Sequence, residues 1–166
     1  MLTEIPYDRR AAVRYARRWA YRRNPNYYNF DDLGGDCTNF ASQCIYAGCG
    51  VMNFTPTFGW YYIDVNNRAP AWTGVEFLYN FLTSNESVGP FAVETTPEEM
   101  ELGDIIQPGD STGDFYHSLV VVGIRRGRIY VAAHSYDAYY RPLDSYPAAT
   151  FRYLHILGAR KDTAQS

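Results

Sequence analysis

Lysine is almost absent from this 166-residue chain: of 15 basic residues only Lys161 is lysine. Against 18 acidic residues the formal net charge is -3, the wrong sign for the broad basic field that a nucleic-acid-binding domain presents, so no nucleic-acid partner is expected. Cysteine is scarce as well. Cys37, Cys44 and Cys49 are odd in number and too few for a disulfide framework, which leaves at least one free thiol. They lack the Cys-x-x-Cys pairs of common zinc sites, and neither a metal nor a cofactor is expected. There is no Gly-x-Ser-x-Gly elbow and no His-Glu-x-x-His helix, so the motif cases for a serine hydrolase and a zinc peptidase fall away. No apolar run is long enough to span a bilayer, and Met1-Leu2-Thr3-Glu4 lacks the basic-then-apolar pattern of a signal peptide. The chain as given reads as soluble and cytoplasmic on that ground.

What is present is a globular balance, with 46% hydrophobic and 20% charged residues. A single domain is expected, its core running from about residue 7 to about residue 159. Aromatics reach 17%, with 16 tyrosines, a composition suited to half-buried walls and binding clefts. Arg9, Arg10, Arg14, Arg17, Arg18, Arg22 and Arg23 crowd the first segment, either as a solvated helix face or as a site for an anionic polymer.

Asp8 can cap a helix running to about Arg22, with Ala12, Tyr15, Ala16, Trp19 and Ala20 as its apolar stripe. Asn24-Pro25-Asn26 ends it. After Gly34-Gly35-Asp36 a second helix begins, carrying Phe40, Cys44 and Ala47 at helical spacing until Gly48 and Gly50. Residues 51–72 read as a long irregular loop and a candidate cleft wall. Thr73-Gly74-Val75-Glu76 has capping-box spacing ahead of a third helix ending near Ser84, and Thr96-Pro97-Glu98-Glu99 predicts a short helical turn. Beyond Gly103, residues 104–106, 118–124, 128–134 and 150–157 are β-branched or alternating runs separated by turns. Helices first and strands later give an α+β class, N-terminal helices packed on a C-terminal antiparallel sheet.

Cys37 opens the second helix, where exposed amide donors and the helix dipole lower a thiol pKa and favour the nucleophilic thiolate. Cys44 and Cys49 read instead as small buried hydrophobes. A base must come from three histidines. His117 stands where a strand leaves the polar loop 110–116, and His134 closes the next strand. If Arg126-Gly127 is a two-residue hairpin turn, Arg125 faces Arg128, His134 faces Leu119, and His134 shares a sheet face with His117. A base with an orienting partner one strand away is what a cysteine hydrolase needs. His155, on the face of Phe151, Tyr153 and Leu157, is assigned to packing. Gly109-Asp110-Ser111-Thr112-Gly113-Asp114 lacks the twelfth-position glutamate of a calcium loop and reads as a turn.

Gly35-Asp36-Cys37-Thr38-Asn39-Phe40-Ala41-Ser42-Gln43 strongly resembles the nucleophile helix of the bacterial putative amidase domain family, a branch of the papain-like group that includes NlpC-type cell-wall peptidases. Tyr15-Ala16, the region of Trp60 and Trp72, Leu102-Gly103-Asp104-Ile105-Ile106 and the run from His117 to Gly123 follow in that family's order. The resemblance implies a papain-like fold and a Cys-His-His thioester mechanism, with Cys37 as nucleophile, His117 as base and His134 orienting the imidazole. Asp137 is the substitute for the third role, and the Cys37 amide would be one oxyanion donor. It implies a peptide or amide substrate, peptidoglycan-derived by analogy, and leans towards the cell envelope. A non-catalytic glycan- or peptide-binding module and a transglutaminase-like acyl transferase on the same triad are the alternatives.

Overall fold

The computed structural model describes residues 1–165. Asp8 caps the first helix as its side chain requires, accepting a hydrogen bond from the Ala11 amide, and α1 then runs Arg9–Trp19 after a short edge strand β1, Leu2–Ile5. Ala12, Ala16 and Ala20 are fully buried, so α1 lies close on the core through small side chains, while Tyr15 and Trp19 stay half-buried. α2, Cys37–Cys49, ends at Gly50 in the left-handed region. Gly48 lies inside α2 rather than ending it: a β-carbon there would come within 2.4 Å of the Tyr7 ring, and the Gly48 carbonyl accepts from the Asp8 amide at 2.8 Å. Glycine is used at this point for close approach between two chain segments.

Residues 51–72 are more ordered than the irregular loop expected. They contain a hairpin, β2 (Tyr62–Asp64) and β3 (Asn67–Arg68), followed by the short helix α3, Pro70–Thr73. Nor do its tryptophans form a cleft wall. Trp60 and Trp72 are fully buried against α2, donating indole N–H groups to the Ser42 hydroxyl and to Asn39 Oδ1. α4, Val75–Ser84, begins at Gly74 without a side-chain cap, because Glu76 reaches away to Arg152 and Thr73 accepts from Arg68. The strand β4, Gly89–Thr95, follows, and then the predicted helical turn at Pro97–Glu99.

The remaining strands are β5 (Ile105–Gly109), β6 (Leu119–Arg125), β7 (Arg128–Ala133), β8 (Ala138–Pro142) and β9 (Thr150–Asp162). The ladder runs β1-β9-β5-β6-β7-β8, with β4 also on β9, and these pairings are antiparallel. The class is α+β. One sheet face presents Ile105, Val120, Val122, Ala132, Leu154 and Ile156 to the helices; the other buries Ile106, Leu119, Val121, Val131 and Ala133 with Leu143. α2 packs on β6 and β7, with its first turn against the residue that precedes β6.

Candidate active site

The approach to α2 is set by Gly34 and Gly35, both at positive φ (84° and 96°), where a β-carbon would be strained. Asp36 follows as the N-cap residue, yet its side chain makes no cap bond. The carboxylate turns back instead, accepting from the Phe30 amide and the Asn39 amide group at 2.9 Å each and meeting His134 Nδ1 at 2.5 Å. The contact with His134 holds the Asp36 carboxyl below the ordinary carboxylate range, against the upward push of burial. The first turn of α2 is thereby left without a side-chain cap beside Cys37.

Cys37 and His117 line one cavity of about 500 Å³, with Gly34, Gly35, Tyr116, Ser135, Tyr136, Arg141, Tyr146 and Pro147. Their neighbours hold the two elements together: the Thr38 and Ser118 hydroxyls lie 3.0 Å apart, and Ser118 also accepts from Gln107 at 3.2 Å. The contact between residues 38 and 118 joins the immediate neighbours of Cys37 and His117.

The electrostatics run against the simple helix-start expectation. Burial pushes the Cys37 thiol up, with the Thr38 hydroxyl and the Ser118 amide opposing it. Burial pushes His117 down to about 4, reinforced by the Arg141 guanidinium. At neutral pH the resting pair is therefore a thiol and a neutral imidazole. Cys49 is raised to about 11 and Cys44 further, both by burial, as suits inert core thiols.

His134 is placed differently from the sheet-face expectation. The Arg126-Gly127 turn does form, with Arg125 opposite Arg128 and both turn residues at positive φ. A β-bulge between Val121 and Gly123 then shifts the register by one residue, so that Val120 faces Ala132. Continued two residues, that register sets His134 opposite Ser118, on the helix side. There it is 1% exposed, stacks on Phe40 at 4.0 Å and contacts the Trp19 carbonyl oxygen through Nε2 at 2.7 Å. Because a carbonyl oxygen only accepts, Nε2 donates, and with the carboxylate of Asp36 on Nδ1 both ring nitrogens are engaged. His134 and His117 are thus not in hydrogen-bond succession. Asp137 is taken by Arg23, at 2.9 and 3.0 Å.

His155 also does more than pack: Nδ1 meets Asp104 Oδ2 at 2.7 Å, in a cluster where Asp104 accepts from Arg9. The loop 110–114 is a turn closed on its own backbone and the Asp110 carboxylate. Among the described residues no cluster of His, Cys, Asp or Glu could hold a metal ion. Arg10, Arg14, Arg17, Arg18 and Arg22 are exposed on or just beyond α1 and make no salt bridge among the described residues; Arg18 and Arg22 rest on the Trp19 ring. Arg141 and Tyr146 had no signal in the sequence, since both reach the cavity only through the path of β8 and the turn after it.

Residues 6–156 match the family described as "Putative amidase domain". The chain is 35% identical over 162 residues to the uncharacterized protein YhbB of Bacillus subtilis, covering 91% of this chain and 50% of that one. It is 26% identical over 137 residues to the uncharacterized protein YjcM of the same organism, covering 78% of this chain and 31% of that protein. The chain thus spans half or less of the length of these curated relatives. No solved structure matches it. With nearly the whole chain matched, α2 and the strand after His117 included, the chain belongs to the family described as "Putative amidase domain".

Proposed function

We propose that the chain is a cysteine amidase or peptidase that hydrolyses amide bonds through a thioester, with Cys37 as nucleophile and His117 as base. The observation that carries this reading is the shared cavity of Cys37 and His117, pinned by the Thr38–Ser118 hydroxyl contact. A neutral His117 can take the Cys37 proton as sulfur attacks the carbonyl carbon. The negative oxygen that forms is met by the Cys37 amide at the uncapped helix start. The imidazolium returns its proton to the departing amine, leaving a thioester, and water deprotonated by His117 then releases the acid and restores the thiol.

In this scheme His134 is a positioning residue. It holds Asp36, immediately before the nucleophile, to the end of α1. The helices laid on an antiparallel sheet, with a helix-start cysteine facing a strand-mouth histidine, are read as papain-like. The substrate class is a peptide or related amide, and cell-wall peptide is the first to try.

Iodoacetamide labelling tests the reading. Cys37 is expected to alkylate faster than Cys49 and Cys44, at a rate that climbs with pH as its raised thiol ionises and that drops in His117→Ala. Equal, slow labelling of all three thiols would sink it.

A further inference from the structure

Most arginines that are partly covered elsewhere in this fold meet carboxylates, while Arg68 donates to the Val65 carbonyl and the Thr73 hydroxyl over the Phe30 ring. Arg9 reaches Asp104 at 2.8 Å, Arg23 reaches Asp31 and Asp137 at 2.9 Å, and Arg152 reaches Glu76 at 2.8 Å. Arg141 does not. Its Nε donates to the Ser145 hydroxyl at 2.8 Å and one terminal nitrogen donates to the Ser145 carbonyl at 3.1 Å, which holds the guanidinium plane 3.7 Å over the Tyr146 ring. Nη1 has no hydrogen-bond partner among the described residues, and the buried Tyr146 hydroxyl in the same wall also lacks one. Among the described residues no Asp or Glu lines the cavity, and Arg141 is the one permanent charge there among Gly, Tyr, Ser and Pro surfaces.

A half-covered cation without a counter-charge is costly unless a ligand supplies one. A guanidinium fixed in its plane, with donors left over, matches the two oxygens of a carboxylate. We infer that Arg141 receives a carboxylate of the substrate, so that the scissile amide belongs to a molecule carrying a free carboxylate near that bond. This rests on the hydrolase reading for the position of the scissile bond. The carboxylate site itself stands on the cavity alone. Arg141 then sets which amides enter, while Cys37 and His117 act on whatever is held.

Two reagents of nearly equal size test it on the full chain: iodoacetate carries a carboxylate and iodoacetamide does not. The ratio of their rates at Cys37 is read by mass spectrometry. A change in the thiol or in His117 alters both rates together and cancels. Arg141→Gln is expected to lower the iodoacetate-to-iodoacetamide ratio about tenfold, the scale of one charge-assisted hydrogen bond, with Arg141→Lys falling between. An unchanged ratio in Arg141→Gln overturns the inference. If Cys37 resists both reagents, the hydrolase reading fails separately, and binding is read on Cys37→Ala by NMR titration with N-acetylglutamate against N-acetylglutamine. Preference for the glutamate, lost in Arg141→Gln, upholds the carboxylate site; equal binding or none overturns it.

Discussion

The two sides of the α2 N-terminus treat polar groups in opposite ways. Behind it, Asp36, His134 and Arg23 form a linked knot: Asp36 accepts from two amides and the imidazole, His134 spends both ring nitrogens, and Arg23 meets Asp31 and Asp137, its Nε lying 3.4 Å from Asp36 without a hydrogen bond. In front of it, the His117 ring, one Arg141 nitrogen and the Tyr146 hydroxyl have no hydrogen-bond partner among the described residues. Histidine serves both sides of one helix end. Polar groups tied to one another hold a structure together, and those that open on a cavity are available to a ligand.

The sharpest way to break this comparison is to remove each histidine in turn. His117→Ala should lower amide turnover by about 10² to 10⁴-fold, the range for a general base, with the urea midpoint little changed. His134→Ala should do the reverse. It strips a 1%-exposed partner from an equally buried carboxylate that keeps the Arg23 guanidinium at 3.4 Å and two amide donors, a loss of about 1–3 kcal/mol. Turnover per folded molecule should fall much less. A His134→Ala protein of wild-type stability with activity lost would move His134 into the chemistry.

The helices were legible because their signals are local: Asp8 is a cap, and Cys37 to Gly50 carries its own spacing and stop. The strands β1, β4 and β8 were not. β1 is a four-residue, mostly exposed edge, and β4 opens on Gly89-Pro90, which reads as a turn until β9 pairs with it. At the cavity, the helix-start place of Cys37 and the strand-mouth place of His117 could be read from the sequence, whereas the Thr38–Ser118 contact between their neighbours joins residues 80 apart. The face of His134 was misread for one reason: the bulge at Val122-Gly123. Gly123 was the available clue, since glycine inside a strand marks a bulge or a close approach, and a β-carbon there would come within 2.4 Å of the Tyr140 ring.

A smaller effect follows from pH. His117 has its pKa pushed down to about 4 by burial and Arg141, against about 6.5 in an unfolded chain. The unfolded state therefore binds the proton more readily, and stability falls as pH drops from about 6.5 towards 4. His117→Gln should flatten that stretch of a urea-midpoint profile. Asp36 acts lower on the scale. Its depressed folded pKa gives stability that is present above about pH 4 and lost as pH falls further. A wild-type profile level from pH 7 to 4.5 would mean that His117 charges freely and is not the neutral base of the open side.

The smallest expected effect probes the hinge between the two sides. Thr38→Val keeps the side-chain shape and deletes the hydroxyl that meets Ser118 at 3.0 Å. Ser118 retains Gln107 as a donor, so the cost should be only about 1 kcal/mol, that of one ordinary hydrogen bond. Alkylation of Cys37 should slow by about threefold, because the hydroxyl no longer opposes the rise of the thiol and because small misplacements cost rate steeply. Thr38→Ser should restore it. Wild-type alkylation in Thr38→Val would mean that the packing of α2 on β6 fixes the pair and that the Thr38 hydroxyl neither spaces it nor favours the thiolate.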